Sequence, residues 1–168
     1  MLHEEITERI LKSAFKVHSA LGAGLLESTY NACLHYEFST EGLQFEYQVR
    51  LPVVYQGIQL DAGYRIDFLV EHCVIVELKA VEKLLPLHTA QVLSYLKLSA
   101  RSVGLLINFN VVHLRDGIRR VVNGYPVPTE KGLPSLSSLS SLSSVVESSV
   151  VESFRDPTES NAKKTNSL

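Results

Sequence analysis

Apolar residues recur at helical spacing in the first forty positions of the chain. One stripe predicts an amphipathic helix over residues 3–21, which ends at Gly22 and Gly24. A second stripe predicts a helix that begins near Leu25 and stops before Gly42. The first stripe consists of Ile6, Ile10, Ala14, Val17 and Leu21, and the second of Leu26, Tyr30, Leu34 and Phe38.

Alternation of apolar and polar residues replaces helical spacing after Gly42. It predicts a first strand around Phe45 to Leu51, and Pro52 indicates an edge strand or a bend. The next elements are predicted to be strands 58–70 and 73–78, helix 87–98, and strands 102–108, 111–114 and 118–122, with turns at Gln56-Gly57 and Asp116-Gly117. The order ααβββαβββ indicates an α/β domain around a mixed sheet.

The composition changes near Gly124, where Ser-rich repeats of SLS and SVVES begin. Such a segment has few aromatic residues and cannot bury enough apolar surface to offset the entropy of ordering. We therefore predict a domain over residues 1–125 and a disordered tail over residues 126–168.

Bulk composition excludes several classes of protein. The chain is 45% hydrophobic and 20% charged, as is usual for a soluble globular protein. No apolar run approaches the ~20 residues that span a bilayer, and the acidic start MLHEEITERILKS lacks the features of a signal peptide. Cys33 and Cys73 match no zinc or redox spacing, so we expect a reduced, cytoplasmic setting. The net charge of −2 argues against a generic basic nucleic-acid coat.

Charged residues interrupt the apolar segment YRIDFLVEHCVIVELKA, which begins at Tyr64. Glu77 and Lys79 share one face of a strand whose two faces are otherwise apolar, which predicts helices on both sides of it. Polar residues that follow an apolar run mark a strand end, where α/β sheets bind ligands. A tight turn around Glu71-His72 can bring Asp67 beside Glu77.

Two adjacent carboxylates repel each other unless a cation lies between them. A hard divalent ion such as Mg²⁺ takes oxygen ligands and removes the conflict, and a neighbouring ammonium can orient or deprotonate the attacking water. This arrangement suits hydrolysis of a phosphodiester. The alternative is that Lys79 forms a structural ion pair with Glu77 or Asp67 at the sheet edge, and spacing alone favours neither.

Three motifs together resemble the PD-(D/E)xK nuclease superfamily. They are Asp67 followed by Glu77-Leu78-Lys79, the GxxExxY match from Gly24 to Tyr30, and the QxxxY match from Gln91 to Tyr95. The chain is similar to the small bacterial and archaeal GxxExxY family within that superfamily, over roughly residues 4–123. Ile66 stands where the motif has a proline before the acid.

The resemblance implies a restriction-endonuclease-like fold, with a central mixed sheet flanked by helices. It also implies a nuclease that depends on Mg²⁺ or Mn²⁺ and acts on nucleic acid, with DNA favoured. Asp67, Glu77 and Glu27 would hold the metal. Lys79 would position the attacking water and stabilise negative charge, and Gln91 and Tyr95 would line the site and touch water or phosphate.

Each of these residues has a plainer interpretation. A helix dipole favours an acid such as Glu27 in a first turn, Gln91 could cap a backbone group, and Tyr95 could belong to the core. His88 receives no catalytic role, and Arg65 could contact phosphate or pair with an acid.

Two other functions stay open beside the nuclease. One is a nuclease-fold protein that is weakly active or inactive and binds nucleic acid or a protein partner. The other is an unrelated α/β interaction module with structural ion pairs. The near-neutral charge is also compatible with a nuclease that needs a protein partner to deliver its substrate.

Overall fold

A computed structural model describes residues 3–124, which form a five-stranded mixed sheet with helices on both faces. The predicted tail lies outside the described residues. The elements in chain order are α1 (Glu4–Leu21), α2 (Glu27–Thr40), β1 (Phe45–Tyr55), β2 (Ile58–Val70), β3 (Val74–Lys79), α3 (Pro86–Leu98), β4 (Val103–Asn108) and β5 (Ile118–Val122).

The strands lie in the order β1-β2-β3-β4-β5. β3 and β4 are parallel and the other neighbours are antiparallel, so the predicted mixed sheet is confirmed. α3 provides the crossover that a parallel pair requires. β2 pairs with β3 only over Phe68–Val70, whereas its pairing with β1 runs on to Tyr55 and Ile58. The β1–β2 hairpin therefore extends beyond β3.

Two apolar clusters hold the helices to the sheet. The prediction that β3 is covered on both faces is confirmed, because its alternate residues enter opposite clusters. Within residues 3–124, no helix is long and apolar enough to cross a membrane. The cluster beneath α1 and α2 includes Ile10, Tyr30, Phe68, Val76 and Leu78, and the cluster beneath α3 includes Ile66, Ile75, Val92, Leu96 and Leu106.

Most predicted elements are confirmed to within two residues at their ends. Pro52 lies on β1, an edge of the sheet, where a missing backbone donor is tolerated. The pairing of β1 with β2 shifts between Leu51 and Val53, so the predicted bend is present as an irregularity of the ladder.

The predicted strand over residues 111–114 is wrong. This segment forms bends that lead into a short 3-10 helix, Leu114–Gly117, which also replaces the predicted turn at Asp116-Gly117. Val112 is 85% exposed whereas Leu114 is buried, so Leu114 packs into the core without Val112. The Val111 carbonyl contacts Nε2 of His18 on α1 at 2.9 Å and takes no part in a strand ladder.

Asn108 fixes the chain where it leaves β3. Its side-chain amide donates to the Val81 carbonyl at 2.8 Å, and its Oδ1 accepts the Val81 amide hydrogen at 3.0 Å. Asn108 is 1% exposed and lies opposite Lys79 in the parallel ladder. Gly117 packs directly on the Asn108 backbone, because a Cβ there would collide with its carbonyl oxygen.

We expect Gly117→Ala to lower the free energy of unfolding by about 1–3 kcal/mol, since backbone cannot move aside as a flexible side chain would. The measurement is urea denaturation of the full chain. Gly124→Ala is the matched control, because a Cβ there meets no described atom within 4 Å. Equal stability of the two variants would show that Gly117 is not tightly packed.

Candidate active site

A cleft of about 540 Å³ is lined by residues of α2, α3 and the first three strands. Five of the six side chains predicted for the site line it, and they are Glu27, Asp67, Glu77, Gln91 and Tyr95. Lys79 is linked to the cleft through Glu77, to which its ammonium is bonded. Residues far apart in the sequence therefore meet at one place, as the motifs predicted.

Asp67 occupies the point where β2 separates from β3. The ladder stops at Phe68 and Val76, although continuing its register would place Asp67 opposite Glu77. Instead, Oδ2 of Asp67 accepts the backbone hydrogen of Leu78 at 2.9 Å. A side chain thus satisfies a buried donor that the ladder no longer serves.

Gln48 on β1 supports Asp67 from the other side. Its Nε2 donates to Oδ1 of Asp67 at 3.0 Å, and its backbone is left-handed with φ 54°. Ile66 and Phe68 belong to opposite apolar clusters, although residues two apart on a regular strand share a face. The alternation of side chains along β2 is therefore interrupted around Asp67. Strained backbone such as that of Gln48 is often retained at functional sites.

Glu77 and Lys79 form a buried ion pair at the end of β3. Nζ of Lys79 lies 2.6 Å from Oε1 of Glu77, and their side chains are 14% and 5% exposed. Among residues 3–124, the other carboxylate oxygen of Glu77, Oε2, has no hydrogen-bond partner. The structural ion pair considered from the sequence is thus formed, but it leaves half of the carboxylate unsatisfied.

Burial and then the charge of Asp67 raise the pKa of Glu77 to about 7, despite the hydrogen bond from Lys79. Burial also raises the pKa of Asp67, against the lowering effect of the Leu78 amide. Burial lowers the pKa of Lys79, but the hydrogen bond and charge of Glu77 outweigh it and raise that pKa overall. The pair therefore favours a charged Lys79, while burial and the neighbouring Asp67 oppose the ionisation of Glu77.

Tyr30 fixes the start of α2 and with it Glu27. The Tyr30 hydroxyl donates to the Gly22 carbonyl at 2.8 Å and accepts the Leu25 amide hydrogen at 3.1 Å. Its ring stacks on Phe109 at a centroid distance of 4.6 Å, and the Phe109 amide donates to the Lys79 carbonyl at 2.8 Å. The tyrosine that ends the GxxExxY match is therefore a structural anchor.

Gln91 and Tyr95 lie one turn apart on α3, as predicted, and are joined by a hydrogen bond of 2.7 Å from Nε2 to the hydroxyl. Arg65 is exposed and also lines the cleft. His88 has a structural role, because its Nδ1 accepts the Leu85 amide hydrogen at the start of α3.

The donor set in the cleft fits a hard divalent cation only in part. In the part of the chain that the structure describes, no group of three or more His, Cys, Asp and Glu side chains could hold a metal ion. Mg²⁺ nevertheless needs only one or two carboxylates and keeps several waters. Asp67 and Glu77 provide such a pair, and the unsatisfied Oε2 of Glu77 is a free oxygen ligand.

Sequence reasoning missed three polar residues around this site. Gln48 supports Asp67, Asn108 holds the chain after Lys79, and Asn31 lines the cleft from α2. A signal existed only for Asn31, which lies four residues after Glu27 and so on the same helical face.

The raised pKa of Glu77 predicts that the metal-stripped fold is more stable at acidic than at neutral pH. Between its ordinary value of 4.5 and about 7, the folded state keeps a proton that the unfolded state has lost. Raising the pH through that window therefore lowers the free energy of unfolding, by up to about 3 kcal/mol from this group. Urea denaturation of the metal-stripped chain at a series of pH values measures the loss.

Glu77→Gln is the matched variant for this measurement, because it keeps the shape of the side chain and cannot ionise. Its stability should vary less with pH over the same window. An unchanged pH dependence in Glu77→Gln would show that other groups cause it.

Comparison with known protein families gives one result that covers most of the domain. No significant match was found among curated proteins or among solved structures. A family model described as the PD-(D/E)XK nuclease superfamily matches residues 4–121, more than half of the chain. That range contains the five strands almost completely and every residue of the cleft. The chain belongs to the PD-(D/E)XK nuclease superfamily.

Proposed function

We propose that this protein is a divalent-metal-dependent nuclease that hydrolyses phosphodiester bonds of nucleic acid, with DNA as the favoured substrate. The observation that supports this most is the meeting of Asp67, Glu77 and Lys79 beside one polar cleft. Membership of the PD-(D/E)XK nuclease superfamily also supports a nuclease. The GxxExxY match from Gly24 to Tyr30 favours that family within the superfamily.

Asp67 and Glu77 are the pair that would hold Mg²⁺ or Mn²⁺, with Glu27 as a further acid that lines the same cleft. When bound, such an ion would polarise a phosphoryl oxygen and lower the pKa of water. Asp67 is held rigidly for this task by Gln48 and the Leu78 amide. Glu77 must first give up its proton, so metal affinity should rise with pH through the pKa near 7.

Lys79 would act as a cation and not as a base. Its raised pKa keeps the ammonium protonated at neutral pH. It can therefore orient the attacking water and stabilise the negative charge that develops on the phosphoryl group. With a cation held by Glu77, the Lys79 ammonium would share that carboxylate with a second positive charge and would be available to the substrate.

The remaining polar side chains would bind and orient the substrate. The Gln91–Tyr95 pair presents a polar edge to the cleft from α3, and Arg65 offers a guanidinium that suits a phosphate. Both groups position the polymer and neither needs to take part in proton transfer.

A second candidate function is nucleic-acid or partner binding without cleavage. The ion pair between Lys79 and Oε1 of Glu77, at 2.6 Å, favours it, because a lysine engaged by a neighbouring acid can serve structure alone. The net charge of −2 also offers little general attraction for a polyanion.

Lys79→Met tests the choice between these functions. The nuclease proposal expects cleavage to fall about 10²-fold or more, with metal binding retained, because an electrostatic contribution to the transition state is lost. The assay uses the full chain with Mn²⁺ and both single- and double-stranded DNA, followed by RNA.

Lys83→Met is the control for this substitution, since Lys83 is an exposed lysine outside the cleft. Its cleavage rate should match that of the wild type. Cleavage that survives Lys79→Met within a few-fold would refute the role of this lysine. Nucleic-acid binding without cleavage by the wild type would favour the second function.

Asp67→Asn tests the metal site without an activity assay. We expect Mg²⁺ and Mn²⁺ to raise the melting temperature of the wild type, since a ligand that binds only the folded state stabilises it. Asp67→Asn removes one of two repelling acids and one metal ligand. Its metal-induced shift should therefore vanish, while the repulsion between the two acids is lessened. A full metal response in Asp67→Asn would exclude Asp67 as a ligand.

A further inference from the structure

Asn31 presents an unsatisfied oxygen to the cleft. The residue is 5% exposed and lines the cleft from the second turn of α2. Over residues 3–124, its Oδ1 has no hydrogen-bond partner. Its Nδ2 makes only a long contact of 3.4 Å to the Glu27 carbonyl. A polar group buried in this way destabilises the fold unless something binds it.

A second oxygen in the same cleft is in the same condition. Oε2 of Glu77 is buried and lacks a partner among the described residues, while Lys79 occupies Oε1. Glu27 adds a carboxylate from α2, four residues before Asn31, so that both side chains share one helical face. The unsatisfied atoms on this side of the cleft are thus oxygens, which require a donor or a cation.

The chemistry of these oxygens selects a hard divalent cation. Carboxylate and side-chain amide oxygens are ligands of such ions, and a single site commonly mixes them. An amide oxygen also has an advantage here, because it adds a ligand without adding negative charge to a cleft that already holds Glu27, Asp67 and Glu77.

We propose that Asn31 is a neutral ligand of the divalent cation, and that its Oδ1 binds the ion together with Oε2 of Glu77 and the carboxylate of Glu27. The inference rests on the metal dependence in the proposed function and assigns a residue outside the GxxExxY, E-x-K and QxxxY matches. The ion would then lie between α2 and the end of β3, and it would satisfy both buried oxygens at once.

Calorimetric titration of the metal-stripped full chain with Mn²⁺ alone tests this assignment. Asn31→Leu removes the oxygen at similar volume and should weaken Mn²⁺ binding about tenfold or more. Asn31→Asp keeps an oxygen in place and should bind Mn²⁺ at least as well as the wild type. Ser28→Ala, at an exposed position of the same cleft, is the control and should leave the dissociation constant unchanged.

Urea denaturation of the same metal-stripped variants separates a ligand from a structural residue. In the metal-stripped fold the Oδ1 of Asn31 is unsatisfied and its Nδ2 makes a long contact, so Asn31→Leu should be as stable as the wild type or more so if the residue is a ligand. Lower stability of Asn31→Leu with an unchanged Mn²⁺ dissociation constant would overturn the assignment.

Two patterns in the titration distinguish the failure of this inference from the failure of the proposed function. If the wild type binds Mn²⁺, Glu77→Gln does not, and Asn31→Leu binds within twofold of the wild type, then the metal site stands and Asn31 is excluded from it. If the wild type itself gives no saturable binding of Mn²⁺, both the metal dependence and the role of Asn31 are overturned.

Discussion

One hydrogen bond, from the Leu78 backbone to the Asp67 carboxylate, sets the arrangement of the whole site. In a continuous ladder between β2 and β3, backbone groups would pair with each other where Leu78 now bonds to a side chain. Because a side chain takes over this acceptor, the two strands can part without leaving a buried donor unsatisfied. The same bond holds Asp67 close enough to raise the pKa of Glu77. The separation of the strands and the crowding of the acids therefore both follow from the use of the Asp67 side chain, instead of a backbone carbonyl, as the acceptor for Leu78.

Crowded charge is the cost of this arrangement, and the chain reduces it only in part. Lys79 neutralises one oxygen of Glu77, and Gln48 and a backbone amide share Asp67. The raised pKa of Glu77 shows that burial and repulsion still exceed these compensations. A site whose carboxylates still repel each other is suited to a cation, because a bound cation relieves that repulsion and so stabilises the folded state. A cation bound there would act on the same carboxylates whose crowding now opposes folding.

Much of the fold follows from local patterns, because helical and alternating periodicities depend only on which face of an element is buried. The turn at Glu71-His72 was enough to predict that Asp67 and Glu77 are neighbours. The strand predicted around Val111 is wrong, since alternation over four residues does not distinguish a strand from bends with one buried apolar residue. The support of Asp67 by Gln48 could not be predicted either, because it depends on a left-handed backbone at a residue that rarely adopts one.

Phe109 connects the start of α2 with the end of β3. Its ring stacks on Tyr30 beneath the start of α2, and its amide hydrogen is bound by the Lys79 carbonyl at the end of β3. The segment that carries the helical acid and the end of the strand that carries the lysine are thereby both in contact with one residue. On the opposite side of the cleft, the β1–β2 hairpin runs on past β3 with less of the sheet beside it. Local opening is easiest in segments with few supporting contacts. Asp67 lies at the base of this ribbon and Arg65 further along it, so any such opening would displace the guanidinium more than the acids.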